Sequence, residues 1–553
     1  MSTTWFLPVL GVAVLLLGWL FKPSRFRLPA YIRGPPPEYW LLGNQRQVVN
    51  SGAGVANRKW RDQYGYVYRF HGCFGIEYLM LNDANAIQHV LRGQTISWGL
   101  EDSLRQFLRL VTGEGIIYAD GADHARQRRL LQPAFNPVFI KSLAPTFASC
   151  SSRFVKEWNR RLDKEGKDGT WDVNAYHWVE LLTMESIGAT AFGLKFGALE
   201  GEEHELMKAY GGLMADTFSR PTTFGILLQN LILHIPPWII SHAENLPLAA
   251  VRKLRAAKAT SRQFAQELIE QKRKEISADP TMKDRDLLTI LVKSGEKNEK
   301  GTVEPMPDEM IYNQLTTMFI AGFETAANTV SFALCELAQR PAVQDRLYAE
   351  VSSVLGSAAD DELAEGFNAN NLDNMPYLVA VVNEALRMHP AVNYGLFTAT
   401  VDNVIPLSKP LKAEDGKEIN SIPVHAGQRV ILSFDGFNRS TVVWGHDANV
   451  FRPERWLMND MSKVPPEDQC GGPYANVSNF GGGPKACIGW RYAMIEMEIF
   501  IAMIIRQFEI SISNPDYEMW REGAFINTIP MQKDHIDLGP QVPIRVKRRT
   551  AKV

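Results

Sequence analysis

A glycine-rich segment runs from Phe480 to Gly489 and reads FGGGPKACIG, with Cys487 near its end. Four glycines, among them Gly481, let the backbone approach the cysteine sulfur closely. The apolar run WRYAMIEMEIFIAMII follows at once and predicts a helix that begins beside that sulfur. Backbone N–H groups and a helix N-terminus stabilise a thiolate, so the stretch favours a cysteine that acts as a metal ligand. A glycine loop around a buried structural cysteine stays open on these residues alone.

A second pattern, AGFET, begins at Ala321, about 160 residues before the cysteine. It lies in the middle of a helix predicted over residues 308–339, with Asp308 as its N-cap. The Thr325 hydroxyl can donate to the carbonyl of Ala321, four residues earlier. The Glu324 carboxyl beside it could relay protons from solvent. An ordinary buried helix is the alternative interpretation.

A third pattern places Glu384 and Arg387 three residues apart, on one face of a predicted helix, and the later segment FRPERW supplies Arg455. An exposed pair with this spacing contributes only about 0.2 to 0.5 kcal/mol, which is the simplest interpretation. A buried network that includes Arg455 would instead be strongly coupled, because removing one member leaves an unpaired buried charge. We predict that these three residues are structural support for the cysteine loop and not catalysts.

A fourth pattern, HARQR, places His124 and Arg128 four residues apart. Residues with this spacing share a helix face, so both side chains could reach one anionic group. The alternative is a solvated basic face, to which Arg126 and Arg129 would also belong.

Composition excludes several classes of protein. The chain has 553 residues, 45% of them hydrophobic, which is typical of a globular protein with a large core. Its 59 Lys and Arg nearly balance its 61 Asp and Glu, so no overall charge indicates a nucleic-acid partner. The five cysteines are odd in number and widely spaced, which argues against a disulfide scaffold and a zinc site.

The N-terminus predicts a membrane anchor. Residues 1–21 contain no charged side chain, and the apolar part would span about 25 Å as a helix. A cleaved signal peptide is the alternative, but no basic residue precedes the apolar run and no small-residue cleavage site follows it. Residues 22–40 are basic and then proline-rich, which predicts a stiff hinge on the cytoplasmic side.

The remaining residues, 41–553, contain no internal repeat and predict one mainly α-helical unit with a minor β-sheet side. Polar stretches at 294–304 and 355–371 predict surface loops. Residues 401–433 alternate apolar and polar side chains between Pro and Gly, which predicts short strands.

Together the four patterns resemble the cytochrome P450 family, in the family's order and at similar distances. The cysteine loop is similar to F-G-x-G-x-R-x-C-x-G, AGFET to the family's oxygen-activating motif, and HARQR to its W-x-x-x-R. The sequence departs from the family at Lys485, where Arg is usual, at His124, where Trp is usual, and at Phe397, near where a further Arg is often found. The departures at Lys485 and Phe397 fall where the family binds the haem propionates, and His124 with Arg128 is the predicted compensation.

The resemblance implies one large P450-like domain that holds haem b, with Cys487 as the axial thiolate ligand. It implies that Glu324 and Thr325 are catalytic, and that the residues in contact with the cofactor are His124, Arg128, Ala321, Phe480, Gly481, Lys485 and Gly489. By the same analogy, the substrate pocket would be lined by Thr95 to Ile117, Val392 to Phe397 and Ala524 to Ile529.

The implied activity is a monooxygenase that inserts one oxygen atom of O2 into a lipophilic small molecule of terpenoid, steroid or fatty acyl type. The implied partner is a separate NADPH-cytochrome P450 reductase, and the implied location is the endoplasmic reticulum membrane, with a single span and a cytoplasmic catalytic domain. The anchor and hinge resemble the microsomal eukaryotic branch, and the run that begins at Asn438 resembles fungal members, which suggests secondary metabolism. Two alternatives stay open: a haem-thiolate isomerase or dehydratase that needs no reductase, and a non-catalytic haem-binding sensor.

Overall fold

The computed structural model describes residues 27–232, 249–279, 286–294, 306–413, 415–457, 465, 468–524 and 526–549. The predicted anchor, residues 1–21, lies outside the described residues, as do the first five residues of the predicted hinge. All but the first residue of the loop predicted at 294–304 also lies outside them.

Helices make up most of the described chain, in agreement with the predicted class. In chain order they are α1 (Gln45–Asn50), α2 (Val55–Tyr64), α3 (Ala84–Arg92), α4 (Asp102–Thr112), α5 (Gly121–Leu131), α6 (Pro137–Ser142), α7 (Ala144–Glu165), α8 (Ala175–Ile187), α9 (Glu205–Tyr210), α10 (Leu213–Phe218), α11 (Thr223–Ile232), α12 (Ala249–Ala278), α13 (Leu287–Ser294), α14 (Asp308–Ala338), α15 (Pro341–Leu355), α16 (Asp360–Glu365), α17 (Asn370–Asp373), α18 (Pro376–Met388), α19 (Phe434–Asn438), α20 (Thr441–Trp444) and α21 (Trp490–Gln507).

The strands form the smaller side of the molecule. In chain order they are β1 (Val67–His71), β2 (Glu77–Leu81), β3 (Trp98–Leu100), β4 (Thr170–Asn174), β5 (Tyr394–Ala399), β6 (Asn403–Lys412), β7 (Glu418–Val424), β8 (Arg429–Ser433), β9 (Phe508–Ile512), β10 (Met519–Ala524), β11 (Asn527–Gln532) and β12 (Pro543–Arg548).

The largest sheet has the order β1-β2-β8-β5-β3, in which β2 and β8 are parallel and the other neighbours antiparallel. A second sheet has the order β4-β12-β9, and β6-β7 and β10-β11 form two antiparallel pairs. The strands predicted within residues 401–433 are confirmed as β6, β7 and β8. The sheets therefore bring distant parts of the sequence to the edge of the helical core.

The central element of the core is α14, which ends one residue before its predicted C-terminus. Among the described helices, it alone is long and apolar enough to cross a membrane, but 78% of its most apolar window is buried inside the protein. We conclude that α14 is a core helix. The prediction that Asp308 caps it is wrong, because Pro307 occupies the cap position and the Asp308 carboxylate accepts a hydrogen bond from Arg273 at 2.9 Å.

The surface loop predicted at residues 355–371 is also partly wrong, because it contains α16. Three acidic residues, Asp360 to Glu362, occupy the first turn of this helix, where the helix dipole favours negative charge. Ser152 also donates to the Asp361 carboxylate at 2.7 Å, which joins this turn to α7. Polarity alone therefore did not distinguish an exposed short helix from a loop.

Candidate functional site

The cysteine loop is held in its shape by glycines and by one backbone hydrogen bond. Gly481 and Gly483 adopt positive φ angles of 62° and 63°, a region that side chains strongly disfavour. A Cβ on Gly483 would lie 2.0 Å from the carbonyl oxygen of Leu91. The Cys487 N–H donates to the Phe480 carbonyl at 2.8 Å and closes the loop. Substituting either glycine would thus open the loop.

Gly489 occupies the N-cap position of α21, so the predicted helix begins directly after the cysteine. Cys487 is the exposed member of the five cysteines, and the other four are buried. Burial among protein atoms nevertheless raises the pKa of its thiol, whereas the Gly489 N–H and the Arg128 charge lower it. The N–H and the cation are the two groups that stabilise a thiolate at Cys487.

Basic side chains gather beside this loop. The Arg128 guanidinium donates to the Ala486 carbonyl at 2.7 Å, next to the cysteine. The Lys485 ammonium lies 3.2 Å from the Asp120 carboxylate and donates to a backbone carbonyl at 2.8 Å. His124 is buried, and burial together with the charges of Lys485 and Arg128 lowers its pKa to about 4. His124 is therefore neutral at pH 7, and Arg128 and Lys485 carry the positive charge.

Two further residues of this cluster, one basic and one acidic, were not predicted from the sequence. Arg105, on α4, donates to the Tyr118 carbonyl at 3.2 Å, and its charge lowers the pKa of Lys485. Asp120 is the N-cap of α5 and supplies the one carboxylate of the group. Three cations, Arg105, Arg128 and Lys485, therefore face one anion, which leaves an excess of two positive charges. The Asp120-Gly121 step at the start of α5 could have indicated a helix cap, but no sequence signal pointed to Arg105.

The AGFET segment lies on the buried central helix, as predicted. The Thr325 hydroxyl donates to the Ala321 carbonyl at 2.7 Å. Both residues are partly accessible, whereas Glu324 is only 6% exposed. Burial, and then the charge of Glu180, raise the pKa of Glu324 to about 8, while the side chain of Asn527 lowers it. The Glu324 carboxyl therefore holds its proton at neutral pH.

The three segments expected to line a pocket converge on this helix. Val392 pairs with Asn527 through an isolated β-bridge, which joins the second segment to the third. In the first segment, the Ile116 N–H donates to the Gln314 side chain on α14 at 3.1 Å. The first segment thus contacts α14 at Gln314, and the third reaches Glu324 through Asn527.

Glu384, Arg387 and Arg455 form one buried network. Arg387 donates twice to the Glu384 carboxylate, at 2.8 Å each, and Arg455 donates once at 3.0 Å. The Trp456 indole N–H adds a fourth hydrogen bond at 3.0 Å. Arg387 also donates to the backbone carbonyls of Asn438 and Ala448, at 2.8 and 2.6 Å. The network ties α18 to the chain that leads into the cysteine loop.

Phe397, the third departure from the family pattern, is buried in β5, where it pairs with Val430 of β8. Its ring belongs to the core of the large sheet. The basic cluster beside the cysteine loop therefore forms without it.

Comparison with known proteins gives a consistent result. The family model described as Cytochrome P450 matches residues 33–532. Cytochrome P450 monooxygenase 205 of Postia placenta is 30% identical over 527 residues, covering 93% of this chain and 92% of the relative. Cytochrome P450 monooxygenase claQ of Ampulloclitocybe clavipes is 28% identical and covers 94% and 93%. Ganoderic acid synthetase of Ganoderma lucidum is 27% identical and covers 96% of both chains. These relatives are fungal, and the chain belongs to the cytochrome P450 family of oxidoreductases.

Proposed function

We propose that this protein is a haem-thiolate monooxygenase in which the Cys487 thiolate is the axial ligand of haem b. The observation that carries the proposal is the cysteine loop, which presents an accessible sulfur between the Gly489 N–H and the Arg128 guanidinium. Both groups stabilise negative charge on the sulfur.

The basic cluster is suited to bind the propionate groups of that cofactor. Haem carries two propionate carboxylates, and the excess of two positive charges from Arg105, Arg128 and Lys485 over Asp120 is complementary to them. His124 is neutral and buried, so it would donate a hydrogen bond and not a charge. Phe480, Gly481 and Gly489 would hold the loop against the cofactor. Lys485 in place of Arg supplies the charge without a two-pronged hydrogen bond.

Bound haem supplies the activation of O2. The side chains of the protein hold the protons and position them. Glu324 holds a proton at neutral pH and is the buried neighbour of Thr325, whose side chain is partly accessible. The Thr325 hydroxyl is fixed by its bond to Ala321, so its oxygen can accept a hydrogen bond from a water or substrate at a defined place.

Replacing Thr325 by Val tests this role. The substitution keeps the shape and deletes the hydroxyl, so haem should still bind and NADPH should still be consumed. We expect the ratio of product formed to NADPH consumed to fall by at least about tenfold, because positioned proton transfer typically contributes about 10² to 10⁴-fold. Hydrogen peroxide should rise in proportion, because protons are no longer positioned.

Thr329→Val is the matched control, because Thr329 lies one turn later on α14 and its hydroxyl makes the same kind of bond, to the Thr325 carbonyl at 2.9 Å. It should leave the ratio unchanged. An unchanged ratio in Thr325→Val would remove Thr325 from the mechanism and favour the isomerase alternative, which needs no such protons.

The proposed substrate is a lipophilic small molecule of terpenoid, steroid or fatty acyl type, and the proposed electron donor is an NADPH-cytochrome P450 reductase. The pocket segments are mainly apolar, which suits such a substrate. A recess of about 660 Å³ on the cysteine-loop side is lined by Gly483 and the exposed Arg129, among others, and Arg129 offers a cation to an acidic partner surface. We infer a role in fungal secondary metabolism from the fungal relatives.

We further propose that residues 1–21 anchor the protein in the endoplasmic reticulum membrane, with residues 22–40 as the hinge and 41–553 as the cytoplasmic domain. The support is the uncharged apolar N-terminus followed by basic residues. The natural glycosylation sequon at Asn438 is a poor probe, because this side chain is fully buried and bonded to Asn479.

An engineered sequon in the exposed turn between β6 and β7 tests this topology. The double variant Asp415→Asn, Lys417→Thr creates the sequence Asn-Gly-Thr at exposed positions. In a eukaryotic host we expect no glycan, because the domain never enters the lumen. The positive control fuses a cleavable secretory signal in place of residues 1–21 and should gain one glycan. A glycan on the anchored protein would contradict the cytoplasmic placement.

A further inference from the structure

Glu180 is a second buried acid close to Glu324, and the motifs do not account for it. It lies on α8, two turns before Ile187, and α8 packs on α14 so closely that a Cβ on Gly322 would lie 2.8 Å from Ile187. The Gly212 backbone N–H acts on the Glu180 carboxyl and lowers its pKa. Glu180 thus has a fixed position beside the helix that carries Glu324.

The two carboxyls are electrostatically linked. Burial raises the pKa of Glu180 to about 7, and burial followed by the charge of Glu180 raises that of Glu324 to about 8. The charge of an ionised Glu180 therefore opposes the ionisation of Glu324. Burial, and then the charges of Glu180 and Glu324, raise the pKa of Tyr176, which lies one turn earlier on α8. Besides burial, Glu180 and the Asn527 amide act on Glu324, and the Gly212 N–H acts on Glu180; none of these groups is a cation.

The two acids differ in solvent accessibility, and the difference suits proton transfer from solvent to Glu324. Glu324 is 6% exposed, whereas Glu180 is partly accessible. Asn328 and Ser331 lie one and two turns after Glu324 on the same face of α14, and both are fully buried. Within the described chain, their side-chain polar atoms have no hydrogen-bond partner. Buried polar atoms of this kind bind ordered water, which is the medium that proton transfer between separated carboxyls requires.

We propose that Glu180 passes protons from its accessible side, through ordered water, to Glu324. In each transfer the Glu180 O–H gives its proton to a water, that water gives a proton to the Glu324 carboxylate, and Glu180 regains a proton from solvent, with no electron moved. Glu180 acts through Glu324, so it is a positioning residue. The proposal rests on the proposed function, in which Glu324 supplies protons beside Thr325.

Glu180→Gln tests the proposal in the haem-loaded full-length protein. Glutamine keeps an acceptor for the Gly212 N–H but has no titratable carboxyl proton. The first readout is the infrared titration of protonated carboxyls, with the Glu324 band assigned by Glu324→Gln. We expect Glu180→Gln to move the midpoint of the Glu324 band to lower pH, because the like charge is gone. Glu498→Gln is the matched control: Glu498 is buried on α21 with a pKa raised to about 8, and its loss should leave that midpoint in place.

The second readout is the share of NADPH electrons that leave as hydrogen peroxide at pH 7, which should rise at least threefold in Glu180→Gln and return towards wild type in Glu180→Asp. An unmoved Glu324 midpoint would overturn the proposal whatever the enzyme's activity, because the acids would not be linked. A moved midpoint with unchanged peroxide would overturn the relay. If the midpoint moves but the wild type consumes no O2 with NADPH, reductase and any substrate, the proposed function fails and the relay fails with it.

Discussion

Glu384→Gln is expected to destabilise the folded protein strongly and to lower the yield of haem-loaded protein. The substitution removes the anion that both Arg387 and Arg455 contact, at 2.8 and 3.0 Å, and leaves two guanidinium groups buried beside each other. Breaking a buried pair in this way costs roughly 3 to 5 kcal/mol, which is a large part of the roughly 5 to 15 kcal/mol that typically separates folded from unfolded protein. The measurement is the yield of soluble, haem-loaded protein and its thermal midpoint.

Glu157→Gln is the matched control, because Glu157 and Arg160 have the same spacing of three on the surface helix α7, where Arg160 is exposed. This variant should change stability by less than about 1 kcal/mol. Equal effects of the two substitutions would mean that the Glu384 network is no more than a surface pair.

The same network has a defined pH dependence. Burial opposes the charge of Glu384, but the hydrogen bonds and charges of Arg387 and Arg455 lower its pKa below the ordinary value. The folded state therefore binds this proton less readily than the unfolded chain does. The stability contributed by the network is present above the ordinary carboxyl pKa and is lost as the pH falls through the folded value.

The sequence was most informative where the backbone itself is constrained. The glycines of the cysteine loop predicted a close backbone approach, and Gly483 indeed lies where a Cβ would meet the Leu91 carbonyl. The helix after Cys487, the bond from Thr325 to Ala321 and the strands near residues 401–433 were predicted for similar reasons. Each of these depends on local spacing, which a sequence displays directly.

The sequence was least informative where residues meet across the fold. Arg105 joins Lys485 although 380 positions separate them, and Glu180 acts on Glu324 across two packed helices. Neither pairing has a local pattern, because long-range contacts depend on how α4, α8 and α14 pack. Asp308 failed as a cap for a related reason: its carboxylate binds Arg273 of α12 instead of the helix N-terminus.

Cys487→Ser carries the largest expected effect on the site itself. Serine keeps the size of the side chain and the backbone bond to Phe480, but its hydroxyl is not a soft anionic ligand. The loop should therefore still form, because its glycines and the N-cap at Gly489 do not depend on the sulfur. Haem should bind more weakly, and monooxygenase turnover should be lost.

Cys73→Ser is the matched control. Cys73 is buried on the sheet side, and its thiol faces the Leu42 carbonyl at 3.8 Å, an acceptor that serine can also use. This variant should retain the spectrum and the turnover of the wild type, which separates loss of the ligand from the general effect of replacing a cysteine.

The most direct test of the haem-thiolate assignment is the absorption spectrum of the reduced protein with carbon monoxide, recorded for wild type, Cys487→Ser and Cys73→Ser at equal haem content. A thiolate opposite carbon monoxide gives a far red-shifted Soret band. We expect that band in the wild type and in Cys73→Ser, and its complete loss in Cys487→Ser. A red-shifted band that survives in Cys487→Ser, or that is absent from freshly prepared, folded wild-type protein, would contradict the assignment of Cys487 as the thiolate ligand.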